Sequence, residues 1–375
     1  MDKRQFLRTS ACALGSFLWE PGRAAGIPVT ATGSGAAPWK WSKKALFQVE
    51  TPKGIRCQIC PNECTLKEGE WSDCHNRKVI DNVLYTLAYG NPCAVHVDPV
   101  EKKPMHHFLP GSRAFSIATA GCNLACLNCQ NWTISQSSPE ETKNYDLMPD
   151  AVVAQAKKYE CTSIAYTYSE PITYYEYTYD TAVLAREAGL KNILVSAGYI
   201  HRDPLVKLCQ VIDGANIDLK SMDDAIYLKL NAGKLQPVLD TLKTMLELGV
   251  WLEITNLVVP SWTDDLEMIG RMCRWLAGNG FRDTPLHFSR FHPQYKLQNL
   301  QPTPVGTLEK AREIARAEGL RYVYVGNVPG SGFSHTLCPD CGKPVISREG
   351  YTVDTGGLNL GSCRHCGQAI PGFWK

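Results

Sequence analysis

No apolar run in this 375-residue chain reaches the length that spans a bilayer, which excludes a membrane-spanning helix. Charge of one sign is also scarce. Thirty-nine Lys and Arg stand against 37 Asp and Glu, for a formal net charge of +2. So even a balance leaves no basic footprint for nucleic acid. With 44% hydrophobic and 20% charged residues, the chain has ordinary globular composition, with room for one large core and small appendages.

What the chain does carry is cysteine, sixteen in all. Eleven fall into three tight groups, a pattern that points to metal ligation rather than a disulfide framework. Cys12, Cys93, Cys161, Cys209 and Cys273 stand alone and read as packing residues.

The middle group is the most informative. Cys122, Cys126 and Cys129 follow a C-x3-C-x2-C spacing and lead into Gln130-Asn131-Trp132. Three thiolates on one short loop can hold three irons of a cubane 4Fe–4S cluster. The fourth iron then has no thiolate from this loop, so a small molecule can bind there. A disulfide pair with a spare thiol, or a zinc site, fits less well, because zinc cysteines come as C-x2-C pairs in two halves.

The N-terminal group is Cys57, Cys60, Cys64 and Cys74, beginning with a C-x2-C-P knuckle. Four sulfurs this close suit one tetrahedral zinc or another iron–sulfur cluster, and spacing does not separate the two. Residues 97–107, with Pro99 and Pro104, read as a loop. Its adjacent His106 and His107 read as polar surface, with a ligand role the alternative. In the tail, Cys338 and Cys341 are answered by Cys363 and Cys366, each pair followed by glycine. Two C-x2-C-G knuckles predict a zinc-ribbon or rubredoxin-like four-sulfur site, with zinc favoured over iron. Such a metal staples a lobe too small to hold a core. The tail has too few basic residues to suggest nucleic acid.

Between these groups the chain alternates. Strands are expected at 115–120, 162–168, 192–196, 215–218, 251–258 and 286–289, and 322–325 is a candidate for a last one. Helices are expected at 150–159, 172–188, 204–209, 235–248, 266–277 and 308–318, where apolar residues recur three and four apart. Leu239, Leu242, Met245 and Leu246 make one such stripe, stopped by Gly249. The alternation predicts an α/β fold with a parallel sheet, a partial (βα)6 version of the TIM-like barrel. Active sites on such sheets lie at the carboxyl ends of strands, and the three-cysteine loop directly follows the first strand. Other strand ends carry Ser169 and Glu170, Asp218 and Lys220, Asn256, and His287. Buried charges there need a partner or a ligand. Asp218 and Lys220 share one face of a strand, so a simple ion pair is the plain alternative.

These motifs together resemble the radical S-adenosylmethionine (SAM) superfamily. The resemblance rests on the three-cysteine loop, Tyr168-Ser169-Glu170-Pro171, Asp218-Leu219-Lys220 and His287-Phe288-Ser289-Arg290-Phe291-His292-Pro293. The branch it is most similar to contains pyruvate formate-lyase activating enzyme. Asp98-Pro99-Val100-Glu101-Lys102-Lys103-Pro104, the four N-terminal cysteines and the tail resemble the radical SAM member of the AmmeMemoRadiSam system. The resemblance implies a radical SAM barrel with Cys122, Cys126 and Cys129 on a 4Fe–4S cluster. It implies reductive cleavage of SAM to a 5′-deoxyadenosyl radical that abstracts hydrogen from a substrate the sequence does not reveal. It implies Ser169 and Glu170 near the SAM amino group, and Asp218, Lys220, Asn256 and His287 around SAM. The position before the third cysteine is usually aromatic in the family and is Asn128 here, which puts the adenine contact in question. An electron donor, a Memo-like protein and an AMMECR-like protein are the implied partners. A glycyl-radical-enzyme activase and a non-catalytic metal-binding interaction module are the competing readings.

The expected organisation is a leader or linker at 1–38, a cysteine-rich segment at 39–112, the catalytic part at 113–330 and a tail lobe at 331–375. Asp2-Lys3-Arg4-Gln5-Phe6-Leu7 resembles a twin-arginine export signal with Lys for the first Arg. The apolar stretch after it is short, and SAM and low-potential electrons are cytoplasmic supplies, so a cytoplasmic protein is the expectation and export the alternative.

Overall fold

The computed structural model describes residues 39–330 and 332–374, so the expected export signal lies outside the described residues. The centre is one eight-stranded sheet. Its strands are β1 (Ala94–Pro99), β2 (Arg113–Ala118), β3 (Ser163–Tyr166), β4 (Lys191–Ser196), β5 (Gly214–Asp218), β6 (Trp251–Val258), β7 (Leu286–Arg290) and β8 (Val323–Gly326). They lie side by side in chain order. From β2 to β8 every neighbouring pair is parallel, whereas β1 pairs antiparallel with β2. The order is linear, so β1 and β8 are edges and the sheet is open.

Parallel neighbours need long crossovers, and helices supply them. These are α1 (Pro149–Lys158), α2 (Tyr175–Glu187), α3 (Arg202–Cys209), α4 (Leu235–Glu247), α5 (Leu266–Gly278) and α6 (Val305–Ala317), one between each successive parallel pair. The six strand–helix units expected from periodicity are present, and β8 is the additional strand. In α4, Leu239, Leu242 and Met245 are buried against the core, but Leu246 lies outside the stripe at 39% exposure. Gly249 follows with φ +72°, the left-handed position where a helix stops without a Cβ penalty. The α5 start is set by Asp265, whose carboxylate accepts from the Glu267 and Met268 amides.

Two sequence expectations are corrected here. Residues 97–99 are not loop but the end of β1, where Val97 pairs with Phe115 and Pro99 with Arg113. A proline is tolerated there because it closes an edge strand. His106 and His107 are not polar surface either, since His107 is fully buried and His106 is half-buried in the wall of a cavity. The reason is long range. The main chain of Phe373 pairs with His107 and Leu109, and its ring stacks on Phe108 with centroids 4.8 Å apart. This end of the chain presses the two-histidine segment onto the sheet, where Phe108 and Met105 join Ala114, Ala165 and Ile193 in a small apolar cluster.

The cysteine-rich segment forms two three-stranded antiparallel sheets, one from Gln48–Thr51, Gly54–Cys57 and Thr65–Leu66, the other from Lys43–Lys44, Arg77–Ile80 and Val83–Thr86. A buried ion pair ties it to α2. Arg77 Nη2 lies 2.8 Å from Glu176 Oε2, and both side chains are essentially inaccessible. The tail makes short hairpins whose apolar side chains, Val345, Ile346 and Ile370, pack on Tyr322 and Tyr324 beside and within β8.

Candidate active site

The carboxyl ends of the parallel strands open into one cavity of about 1320 Å³. Strand alternation decides what enters it. Asn216 and Asp218 of β5, Thr255 and Leu257 of β6, and His287 and Ser289 of β7 face it. The loop after β2 brings in Cys122, Cys126 and Cys129. Gly121 makes this loop possible. It has φ +90°, and a Cβ there would sit 2.4 Å from the Cys74 carbonyl.

The three cysteines fit an iron–sulfur cluster by their surroundings. Asn231 Nδ2 donates to Cys126 Sγ at 3.2 Å, and the Leu124 amide to Cys122 Sγ at 3.4 Å. Donors aimed at sulfur are what a cluster thiolate accepts. Asn128 and Asn231 line the same cavity, each with a buried Oδ1 that has no protein partner. Such atoms suit a polar ligand.

Of the other expected residues, Ser169, Glu170, Asp218, Lys220 and His287 all line this cavity. Ser169 Oγ donates to the Thr119 carbonyl at 2.7 Å. Glu170 is buried and accepts from Ser196 Oγ at 2.7 Å, the Ala197 amide at 2.8 Å and the Ile172 amide at 3.2 Å. Burial raises its pKa, and these three donors offset only part of the rise. Lys220 Nζ lies 2.8 Å from Asp218 Oδ2, so the ion pair exists, at the cavity wall. Burial opposes the charge on Lys220, but the Asp218 carboxylate beside it leads the opposing effects and holds the ammonium above the ordinary lysine range. Asn256 does not line the cavity. Alternation along β6 turns it away, and its Nδ2 donates to the Leu219 carbonyl at 2.7 Å.

A network beside His287 escaped the sequence. His287 Nε2 meets Glu253 Oε2 at 2.7 Å, and Glu253 also accepts from the His106 and His107 amides. Burial opposes the Glu253 charge, but His287 and His107 win and keep its pKa below the usual range. His107 Nδ1 faces the Pro371 carbonyl at 2.7 Å and its Nε2 faces Tyr324 Oη at 2.6 Å. A carbonyl only accepts, so Nδ1 carries the proton and Nε2 accepts from the tyrosine. The tail sends Arg348 into this wall, where it donates to the His106 carbonyl. Asn231 likewise had no sequence signal, because 105 residues separate it from Cys126.

The tail cysteines come together. Cys338, Cys341, Cys363 and Cys366 have all four sulfurs within 4.8 Å of one another. Among the described residues they are the one group of Cys, His and carboxylate ligands close enough for a single ion. Cys57, Cys60, Cys64 and Cys74 instead surround a separate small cavity beside Asn123.

A parallel sheet whose first parallel strand delivers three cysteines to a cavity at the strand ends is an arrangement that suits an enzyme working at a sulfur-bound metal centre. Comparison with known proteins supplies the family. The model of the radical SAM superfamily matches residues 116–273. An uncharacterized protein of Methanocaldococcus jannaschii is 46% identical over 318 residues, covering 84% of this chain and 95% of its own. Pyruvate formate-lyase 1-activating enzyme of Escherichia coli K12 is 26% identical over 229 residues, 57% of this chain and 93% of its own. Among solved structures, SuiB of Streptococcus suis bound to its precursor peptide SuiA aligns with a TM-score of 0.46 at 13% identity, over 62% of this chain and 52% of its own. The chain belongs to the radical SAM superfamily and is a radical SAM enzyme.

Proposed function

We propose that Cys122, Cys126 and Cys129 hold a 4Fe–4S cluster, that SAM binds beside it in the strand-end cavity, and that the product radical takes hydrogen from a substrate in the same space. The observation that carries this reading is the convergence of the three cysteines with Ser169, Glu170, Asp218 and Lys220 on one cavity. The cluster supplies the electron that cleaves SAM to methionine and a 5′-deoxyadenosyl radical. The protein's own part is positioning. Glu170, locked by three donors, is a fixed acceptor for the SAM amino group, and Lys220 is a fixed cation for a carboxylate. Asn128 offers an amide where the family usually has an aromatic ring. The cavity wall at His287, Tyr324 and Arg348 is left for the substrate.

In this reading the tail cysteines bind zinc, since bonds of about 2.3 Å place tetrahedral sulfurs about 3.8 Å apart, and Cys338 lies 3.5 Å from Cys366 and Cys341 3.7 Å from Cys363, sulfur to sulfur. An electron donor is required, and the AmmeMemoRadiSam resemblance makes Memo-like and AMMECR-like proteins the candidate partners. The protein works in the cytoplasm, where SAM and reducing electrons are supplied. The likeness to pyruvate formate-lyase activating enzyme supports a second reading, a glycyl-radical-enzyme activase.

The test is SAM cleavage by anaerobically reconstituted, dithionite-reduced protein. Formation of 5′-deoxyadenosine is expected, and its absence with a full cluster would return the chain to a non-catalytic metal-binding module. Adding candidate glycyl radical enzymes and recording EPR separates the two catalytic readings, because only an activase leaves a glycyl radical on its partner.

A further inference from the structure

We infer that Cys57, Cys60, Cys64 and Cys74 hold a second iron–sulfur cluster rather than zinc, and that it is the entry point for electrons bound for the SAM site.

The structure contains its own comparison. In the tail, four cysteines sit at single-ion spacing. The N-terminal four do not group in that way, although they line one cavity. A cubane spreads its cysteine sulfurs over separate irons, so four cysteines that do not close to single-ion distance suit it better than one zinc. A second observation concerns charge. Arg77 lines the same cavity and is buried, with Nη2 committed to Glu176. Its Nη1 is buried and has no protein partner. An unpaired guanidinium donor beside four thiols suits the negative charge of a metal held by four thiolates, so the site is built for an occupant, and the spacing of the sulfurs is what favours the cluster.

The position of this site gives it a role. Its loops are packed directly on the three-cysteine loop. Asn62, between Cys60 and Cys64, donates through Nδ2 to the carbonyl of Asn123, the neighbour of Cys122, at 3.0 Å. Asn76, two residues past Cys74, donates to the Ala120 carbonyl at 2.7 Å. Gly121 touches the Cys74 carbonyl so closely that no side chain fits between. Three contacts thus join the two cysteine sets with no intervening layer. One electron passes from a reduced low-potential carrier protein to the N-terminal site and then on to the Cys122 site, so the first site ends as it began. No bond forms or breaks and no proton moves.

The electron-entry role rests on the proposed SAM chemistry, but the metal assignment does not. The experiment counts iron, sulfide and zinc on full-length protein reconstituted anaerobically. About eight irons, eight sulfides and one zinc per chain are expected. About four irons with two zincs, or four irons with one, overturns the assignment, and this count needs no variant to fold. Cys60→Ser with Cys64→Ser should lose about half the iron, keep the zinc, and keep an EPR signal that changes on adding SAM. Reduction of that remaining cluster by a reduced flavodoxin should slow by about tenfold or more, while dithionite still reduces it. Equal flavodoxin rates in both proteins overturn the relay. Failure of the SAM chemistry shows up separately, as iron-replete wild-type protein that makes no 5′-deoxyadenosine with dithionite.

Discussion

Asn231 donates its side-chain amide to the sulfur of Cys126 across 3.2 Å, from a π-helical turn (Tyr227–Asn231) that follows β5. The same turn holds the cysteine loop by its backbone, since the Ala125 amide donates to the Asn231 carbonyl and the Leu127 amide to the Leu230 carbonyl. A donor at a cluster sulfur stabilises the more negative, reduced state. Asn231→Ala should therefore lower the cluster's reduction potential by tens of millivolts, the size of one charge-assisted hydrogen bond. EPR-monitored potentiometry checks it, and an unchanged or higher potential contradicts the contact.

Removing a proposed cluster ligand should act locally. Cys126→Ala is expected to bring 5′-deoxyadenosine formation down to background while the tail metal stays bound, as read by zinc analysis of the same sample. A normal rate in this variant removes the three-cysteine assignment.

Cys341→Ser should act on stability instead. Metal binding and folding are coupled in a lobe with so small a core. Melting should shift downward by roughly 2–4 °C for each kcal/mol lost. Because Arg348 enters the cavity wall from this lobe, loosening it should also weaken whatever binds beside His106. Calorimetry with and without a zinc chelator provides the test, and identical melting of both proteins removes the structural role.

The buried histidines predict acid sensitivity. Burial depresses the His107 pKa to about 4, with Glu253 pulling the other way. The unfolded chain takes up a proton near pH 6.5, so stability is fully present above that value. It declines as pH falls toward 4, by roughly 3 kcal/mol for a shift of this size. His106, also driven down by burial, adds to the same slope. Denaturant midpoints between pH 7 and 4 should show the decline, and His107→Gln should flatten it.

Much of the architecture was legible because it is written in local periodicity. The 251–258 strand and the 235–248 and 266–277 helices announce themselves by alternation or by spacing of three and four, and the structure places them within one residue at each end. The first strand's junction with the three-cysteine loop was equally clear, since neighbours in sequence stay neighbours in space. What escaped was long range. Val97 to Pro99 became strand only because β2 offered an edge. His107 became core only because Phe373 closed over it from the far end of the chain. Asn256 followed the strand-end rule in sequence but fell on the wrong side of the pleat.

The chain alone therefore determined its class of chemistry. Ligand spacing on one loop and the apolar repeat of each element are properties of short segments, and short segments carry them without help. Tertiary structure decided which groups face each other. It joined Asn231 to Cys126, Glu253 to the two histidines and His287, and Arg348 to the cavity wall. It also drew the tail sulfurs to single-ion distance while leaving the N-terminal four apart. Those distances depend on how distant loops pack against a common sheet, and no local pattern encodes that.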